Sequence, residues 1–123
     1  MNLVDSSGWL EYFTDGKNAK YFAPVIENTE NLIVSVINLY EVFKKISVEK
    51  NENSAIQAIA FMQQSKIIDI TESISIFAAK LSIDYKLPMA DSLIYATAKI
   101  HDAIVWTQDS DFENLEDVKY FQK

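Results

Sequence analysis

Four acidic residues, Asp5, Glu41, Asp91 and Asp109, stand where strand and helix signals meet. Asp5 closes the apolar run Asn2-Leu3-Val4, and Glu41 lies in the first half of the helix-period segment Val36–Glu49. Asp91 follows Pro88 at the opening of another such segment, and Asp109 follows the apolar run Ala103–Thr107. The chain has no Cys and a single His, His101, so soft metal ligands and thiol chemistry are out of reach. Oxygen donors alone suit a hard divalent cation, Mg²⁺ or Mn²⁺, which keeps several of its waters. Two carboxylates about 5 Å apart repel by roughly 3 kcal/mol at an effective dielectric of about 20. A cluster of them must therefore take up protons or hold a cation, and a cation held there lowers the pKa of a water and makes it a nucleophile. Asp111 is a fifth candidate ligand, and the hydroxyls of Ser6 and Thr107 are placed to orient carboxylates or waters.

Those acids need elements to bring them together. Short apolar runs at 2–5, 32–34, 67–70, 103–107 and 118–121 predict five strands. Between them, helical spacing predicts helices around Trp9–Phe13, stopped by Gly16, and around Tyr21–Ile26, with Pro24 in the first turn or at a kink. Further helices are expected over Val36–Glu49, Ser54–Gln64, Ser73–Tyr85 and Pro88–His101. Strands alternating with helices argue for an open parallel sheet covered on both faces, a three-layer α/β/α domain over residues 1–123. In such a sheet ligands bind outside the carboxyl ends of the strands, and helices that follow strands begin at that same edge. All four acids can converge there.

Each acid also has a plain structural reading. Asp5 alone reads equally as a cap for a helix beginning at Ser6. Glu41 lies four residues before Lys45, the spacing of a solvated ion pair worth a few tenths of a kcal/mol. Asp91 suits a helix amino end, and Asp109 and Asp111 suit caps of a short turn. Trp9 and Trp106 read as core, and His101 as surface. Lys44 and Lys45, one turn past Glu41, and Lys17 and Lys20, in a loop, are solvated charge by default and phosphate contacts if a substrate lies near.

Composition narrows the function. The 123 residues carry 18 acids and 11 bases, all Lys, for a net charge of −7, which excludes a general nucleic-acid coat. Only Gly8 and Gly16 are present, so neither a G-x-G-x-x-G fingerprint nor a Walker A loop can form. The amino terminus has no basic stretch and an acid at position 5, so no secretory leader is expected, and no run is apolar enough to span a membrane. A cytoplasmic protein is the expectation.

The local strings carry a resemblance. Val4-Asp5-Ser6-Ser7 is similar to a strand ending in Asp before a small hydroxyl residue. Val34-Ser35-Val36-Ile37-Asn38-Leu39-Tyr40-Glu41 is similar to a strand leading into a helix with a Glu. Leu87-Pro88-Met89-Ala90-Asp91-Ser92-Leu93-Ile94-Tyr95-Ala96 opens an Ala-rich helix on an acid, and Thr107-Gln108-Asp109-Ser110-Asp111-Phe112 fits a Thr-x-Asp-x-Asp-Phe string. In that order along the whole chain, they resemble the PIN-domain nucleases, specifically the small toxin-type (VapC-like) members. Ser92 stands where the family often has a small apolar residue, and the chain has no Arg, a residue the family often uses near phosphates. The resemblance implies a Mg²⁺- or Mn²⁺-dependent ribonuclease, the toxin of a toxin–antitoxin pair, acting as a homodimer and restrained by a small antitoxin protein. Two alternatives stay open: a PIN-like module without activity that binds RNA or protein, and a receiver-type signalling domain. The receiver fold wants paired acids after its first strand and an acid ending the third; Asp5 is alone and Ile70-Thr71 stands at the third.

Overall fold

The computed structural model describes all residues, Met1–Lys123. Five strands, β1 (Asn2–Val4), β2 (Leu32–Ser35), β3 (Lys66–Ile68), β4 (Ile104–Thr107) and β5 (Val118–Tyr120), form one sheet in the order β3-β2-β1-β4-β5. Every pairing is parallel. Six helices connect them: α1 (Ser6–Phe13), α2 (Ala19–Glu27), α3 (Val36–Glu49), α4 (Glu52–Met62), α5 (Glu72–Tyr85) and α6 (Met89–Ile100). The expected three-layer α/β/α architecture is what the chain adopts.

Successive strand residues feed opposite layers, as a pleat requires. Leu3, Ile33 and Val105 pack with Ile74, Ala78, Leu81, Ile94 and Ala98 of α5 and α6. Val4, Leu32 and Val34 pack with Trp9, Phe22, Ile26, Val42, Ala55 and Met62 of α1–α4. All four residues of β2 are buried, the mark of a strand covered on both faces. The chain winds outward from β1 to β3, then crosses back to lay β4 on the other side of β1. The strand order reverses at β1, so the crevice at the carboxyl ends of β1 and β4 is the topological switch point.

Several boundaries differ from expectation. β3 is Lys66–Ile68 rather than 67–70, because its partner β2 ends at Ser35, paired with Ile68, and becomes the cap of α3; Asp69 and Ile70 have no strand to pair with. α1 begins at Ser6, three residues before Trp9, because Asp5 caps it through a bond from the Gly8 N–H at 3.2 Å. The left-handed residue after α1 is Asp15 (φ 51°), not Gly16. Pro24 lies inside α2 rather than in its first turn, since the helix starts at Ala19. Trp9 is fully buried as expected, whereas Trp106 is half-buried with its indole N–H donated to Asn2 Oδ1 at 2.9 Å. His101 is partly exposed at the carboxyl end of α6.

Gly8 is where a side chain has no room. A Cβ there would lie 2.6 Å from Val4 Cγ1 and 2.9 Å from the Phe22 ring. The close seat of α1 on β1 and α2 is what aims its first N–H groups at Asp5.

Candidate active site

Asp5, Glu41, Asp91 and Asp109 line one cleft of about 490 Å³ at the carboxyl edge of the sheet, with Ser6, Ser7, Tyr40, Lys44 and Lys45. Asp5 follows β1 and is 2% exposed. Its backbone N–H donates to Trp106 O of β4 at 3.0 Å, so the two central strands are zipped to the point where both acids emerge. Asp109 follows β4 as the cap of a 3₁₀ turn at Ser110–Phe112, accepting from the Asp111 N–H at 2.9 Å. Asp91 sits in the first turn of α6, whose amino end has no side-chain cap bond. Carboxylate oxygens of Asp91, Asp109 and Asp111 lie within 4.8 Å of one another. Glu41, a turn and a half into α3, closes the other side of the cleft.

Hydroxyl groups orient these carboxylates. Ser6 Oγ donates to Glu41 Oε1 at 2.6 Å, and Ser7 Oγ donates to Asp5 Oδ1 at 2.7 Å. Thr107 Oγ1, fully buried, accepts from the Asp109 N–H at 2.9 Å and lies 3.4 Å from Ser7 Oγ. Ser6 and Thr107 were expected in this shell; Ser7 and Gln108 were not. Gln108 donates its N–H to Ser7 Oγ at 3.2 Å, and its Oε1 accepts from buried Asn18 at 2.9 Å. Two adjacent hydroxyls in the Asp-Ser-Ser string were the available signal, but only the start of α1 decides that the first serves Glu41 and the second Asp5.

The plain readings of Asp5 and Asp109 are also correct, and they do not compete with the cluster, since each cap bond aims its carboxylate. The Glu41–Lys45 ion pair does not form. Lys45 pairs with Glu49 at 3.0 Å, both side chains about half exposed, and leaves Glu41 to Ser6. Lys44 lies over the Tyr40 ring at 5.7 Å. Lys17 and Lys20 are not at this cleft; they flank Tyr21 and Phe121 in a separate depression.

The site carries uncompensated negative charge. Burial pushes the Asp5 carboxyl up to about 6, against hydrogen bonds from Ser7, Gly8 and Thr107 that lower it, while nearby Asp109 adds to the rise. Asp91 is pushed up to about 8, by burial first, then by the charge of Asp109, a hydrogen bond with Asp111 and the charge of Asp5. No ion pair reaches any of these acids. An all-oxygen donor set of mutually repelling carboxylates fits a hard divalent cation.

The sequence model of the PIN domain family matches residues 3–118. The chain belongs to the PIN domain family. Solved structures share its fold along the full length. A toxin–antitoxin complex from Klebsiella pneumoniae superposes with a TM-score of 0.80 at 23% identity, covering 100% of both chains. VapC20 of Mycobacterium tuberculosis, a toxin that cleaves the sarcin–ricin loop, gives 0.78 at 14% identity, covering 94% of this chain and 95% of that one. VapBC2 of Rickettsia felis, bound to a promoter DNA fragment, gives 0.75 at 15% identity over 98% and 97%. No curated protein sequence matches the chain. The receiver-type alternative falls with the family match. In this PIN domain Asp5, Glu41, Asp91 and Asp109 all line the switch-point cleft, and no helix is long and apolar enough to cross a membrane.

Proposed function

We propose that this PIN domain is a Mg²⁺- or Mn²⁺-dependent ribonuclease acting as the toxin of a toxin–antitoxin pair. The observation that carries the reading is the packing of Asp91, Asp109 and Asp111 oxygens within 4.8 Å, with Asp91 and Asp109 lining one cleft with Asp5 and Glu41 and none of these acids in an ion pair. Asp5, Glu41, Asp91 and Asp109, with Asp111 at the rim, would hold the cation directly or through waters. When bound, the cation supplies an acidified water and offsets charge on the scissile phosphate.

The chain's own residues do the rest. Ser7 and Gly8 hold Asp5, Ser6 holds Glu41, and Thr107 fixes the backbone that carries Asp109, so the carboxylates are set before substrate arrives. Exposed Lys44 and Lys45 on the cleft wall meet substrate phosphates. RNA as substrate, a homodimer, an antitoxin partner and a cytoplasmic location are parts of the same proposal, supported by family membership and by the toxin–antitoxin structures of like fold. A groove of about 760 Å³ adjoins the cleft through Ser7, Leu10 and Lys45, with Phe13, Ile46 and Phe61 in its wall, and gives an antitoxin segment an apolar seat beside the acids.

A nuclease assay on total RNA with added Mg²⁺ or Mn²⁺, against the same reaction in excess EDTA, tests the reading. Cleavage only with the cation is expected. Cleavage that persists in EDTA removes the cation from the mechanism, and metal binding without cleavage of any RNA leaves a binding module.

A further inference from the structure

The Glu41 carboxylate, on α3, is held by a residue from another α-helix, Ser6 of α1. Behind that contact stands a second one. Asn38, one turn before Glu41 on α3, is fully buried and donates its Nδ2 to Ser6 Oγ at 3.1 Å. Its Oδ1 accepts from the Ser35 N–H at 3.0 Å, completing the capping box at the start of α3.

The direction of these bonds is forced. The Ser35 N–H can only donate, so the oxygen of the Asn38 amide must face it and the NH₂ must face Ser6. An NH₂ cannot accept, so the Ser6 oxygen accepts and its single hydrogen is left for Glu41. The chain Ser35 N–H to Asn38 to Ser6 to Glu41 runs one way only.

We propose that Asn38 is a positioning residue for the cation site: by polarising the Ser6 hydroxyl toward Glu41, it holds that carboxylate in one orientation. The proposal rests on Glu41 serving the cation, as proposed above. A cap alone would need only the Asn38 oxygen. The NH₂ buried against Ser6 is the part a cap leaves unexplained, and it couples the start of α3 to the start of α1 across the cleft.

Asn38→Asp separates the two roles. It is nearly isosteric and keeps an acceptor for the Ser35 N–H, but it replaces the donor facing Ser6 with a second acceptor. The Ser6 hydrogen then turns from Glu41 to the introduced carboxylate. Mg²⁺ affinity measured by calorimetry on the whole chain should fall about tenfold or more in Asn38→Asp and in Ser6→Ala, the usual effect of losing a group that orients a ligand. Ser6→Thr, which restores the hydroxyl, should recover most of it. The double variant should bind no more weakly than Ser6→Ala alone, because both changes break one relay. On RNA, kcat should fall with KM unchanged.

If Asn38→Asp does not fold, Asn38→Ala enters the same cycle; its lost cap lowers stability already in EDTA, its weaker cation binding lowers it further in Mg²⁺, and the affinity comparison on the folded variant stands. Full Mg²⁺ affinity in the folded Asn38 variant, or losses that add in the double variant, overturns the proposal while leaving the site reading standing. A wild-type chain that binds no Mg²⁺ overturns both.

Discussion

Helix α6 carries an acidic cluster at each end, and the two are handled in opposite ways. At its carboxyl end Lys99 reaches Glu116 and Asp117, both at 3.7 Å, and lies over the Tyr95 ring at 5.1 Å. Tyr95 donates its hydroxyl to Glu116 O at 2.8 Å, pinning the turn that leads into β5. Lys99 offsets one of the two negative charges within the fold, and a base in the last turn of a helix also suits its dipole. At the amino end Asp91 meets Asp109 and Asp111, and none of the three is in an ion pair. Three carboxylates within 4.8 Å repel by roughly 3 kcal/mol per ionised pair at an effective dielectric of about 20, far more than the helix dipole returns to Asp91. One end is a clamp that needs nothing from outside. The other is complete only with protons or a cation.

The largest expected difference between the two ends is in catalysis. Asp91→Asn keeps the size of the side chain and removes its charge, so RNA cleavage in Mg²⁺ should fall on the order of 10²-fold, the scale of losing one preorganised charged group at a reacting centre. Lys99→Gln should leave cleavage intact and lower only the denaturation midpoint. Initial rates on total RNA for both variants check this, and equal losses would erase the distinction.

Stability sharpens it next. A cation at a hundred times its dissociation constant adds about 2.7 kcal/mol to the wild type. Asp91→Asn should be no less stable than wild type in EDTA, because repulsion is relieved, and clearly less stable in saturating Mg²⁺. Lys99→Gln should lose the same amount in both buffers. Urea melts of the three proteins in the two buffers are sufficient, and parallel losses for Asp91→Asn would mean that its acids do not act as a cluster.

The fold was legible because apolar runs alternate between strand and helix periods, and those periods survive errors of two or three residues at the ends. Asp5 and Asp109 were legible because a strand end in a parallel sheet fixes which edge a residue occupies. Glu41 was only half legible. Its nearest base in sequence, Lys45, suggested an ion pair, but Lys45 turns to Glu49 on its other side, and the group that holds Glu41 lies 35 residues away at Ser6. No helical spacing encodes that contact, since it depends on how α1 and α3 meet over the sheet. Gln108 and Asn18 were hidden for the same reason: their bond spans 90 residues. Asp15 taking the left-handed turn beside Gly16 shows that an Asp tolerates positive φ, so residue type alone misplaced the break by one.

The pH response gives a smaller, graded effect. A carboxyl whose folded pKa is raised binds its proton more tightly when folded, so its contribution is fully present below the unfolded value near 4 and is lost as pH rises through the folded one. For Asp91 that window runs from about pH 4 to about pH 8, and for Asp5 to about pH 6. In EDTA the wild-type urea midpoint should decline across this range, and Asp91→Asn should flatten the upper part. A midpoint that rises with pH would contradict the crowding of the acids.

Smallest of all is the salt response at the cleft wall. Replacing Lys44 and Lys45 with Gln should lower the slope of log RNA affinity against log salt by roughly 0.7 per lost single-strand contact, with Mg²⁺ affinity nearly unchanged. An unchanged slope would return both to plain surface charge.

The central claim is that the amino end of α6, and not its carboxyl end, is built for a divalent cation. Anomalous diffraction from crystals soaked in Mn²⁺ tests it most directly. A peak among Asp91, Asp109 and Asp5, with none beside Glu116 and Asp117, is the expected result. An empty switch-point cleft at a Mn²⁺ concentration that supports RNA cleavage, or a peak beside Glu116 and Asp117 instead, would contradict it.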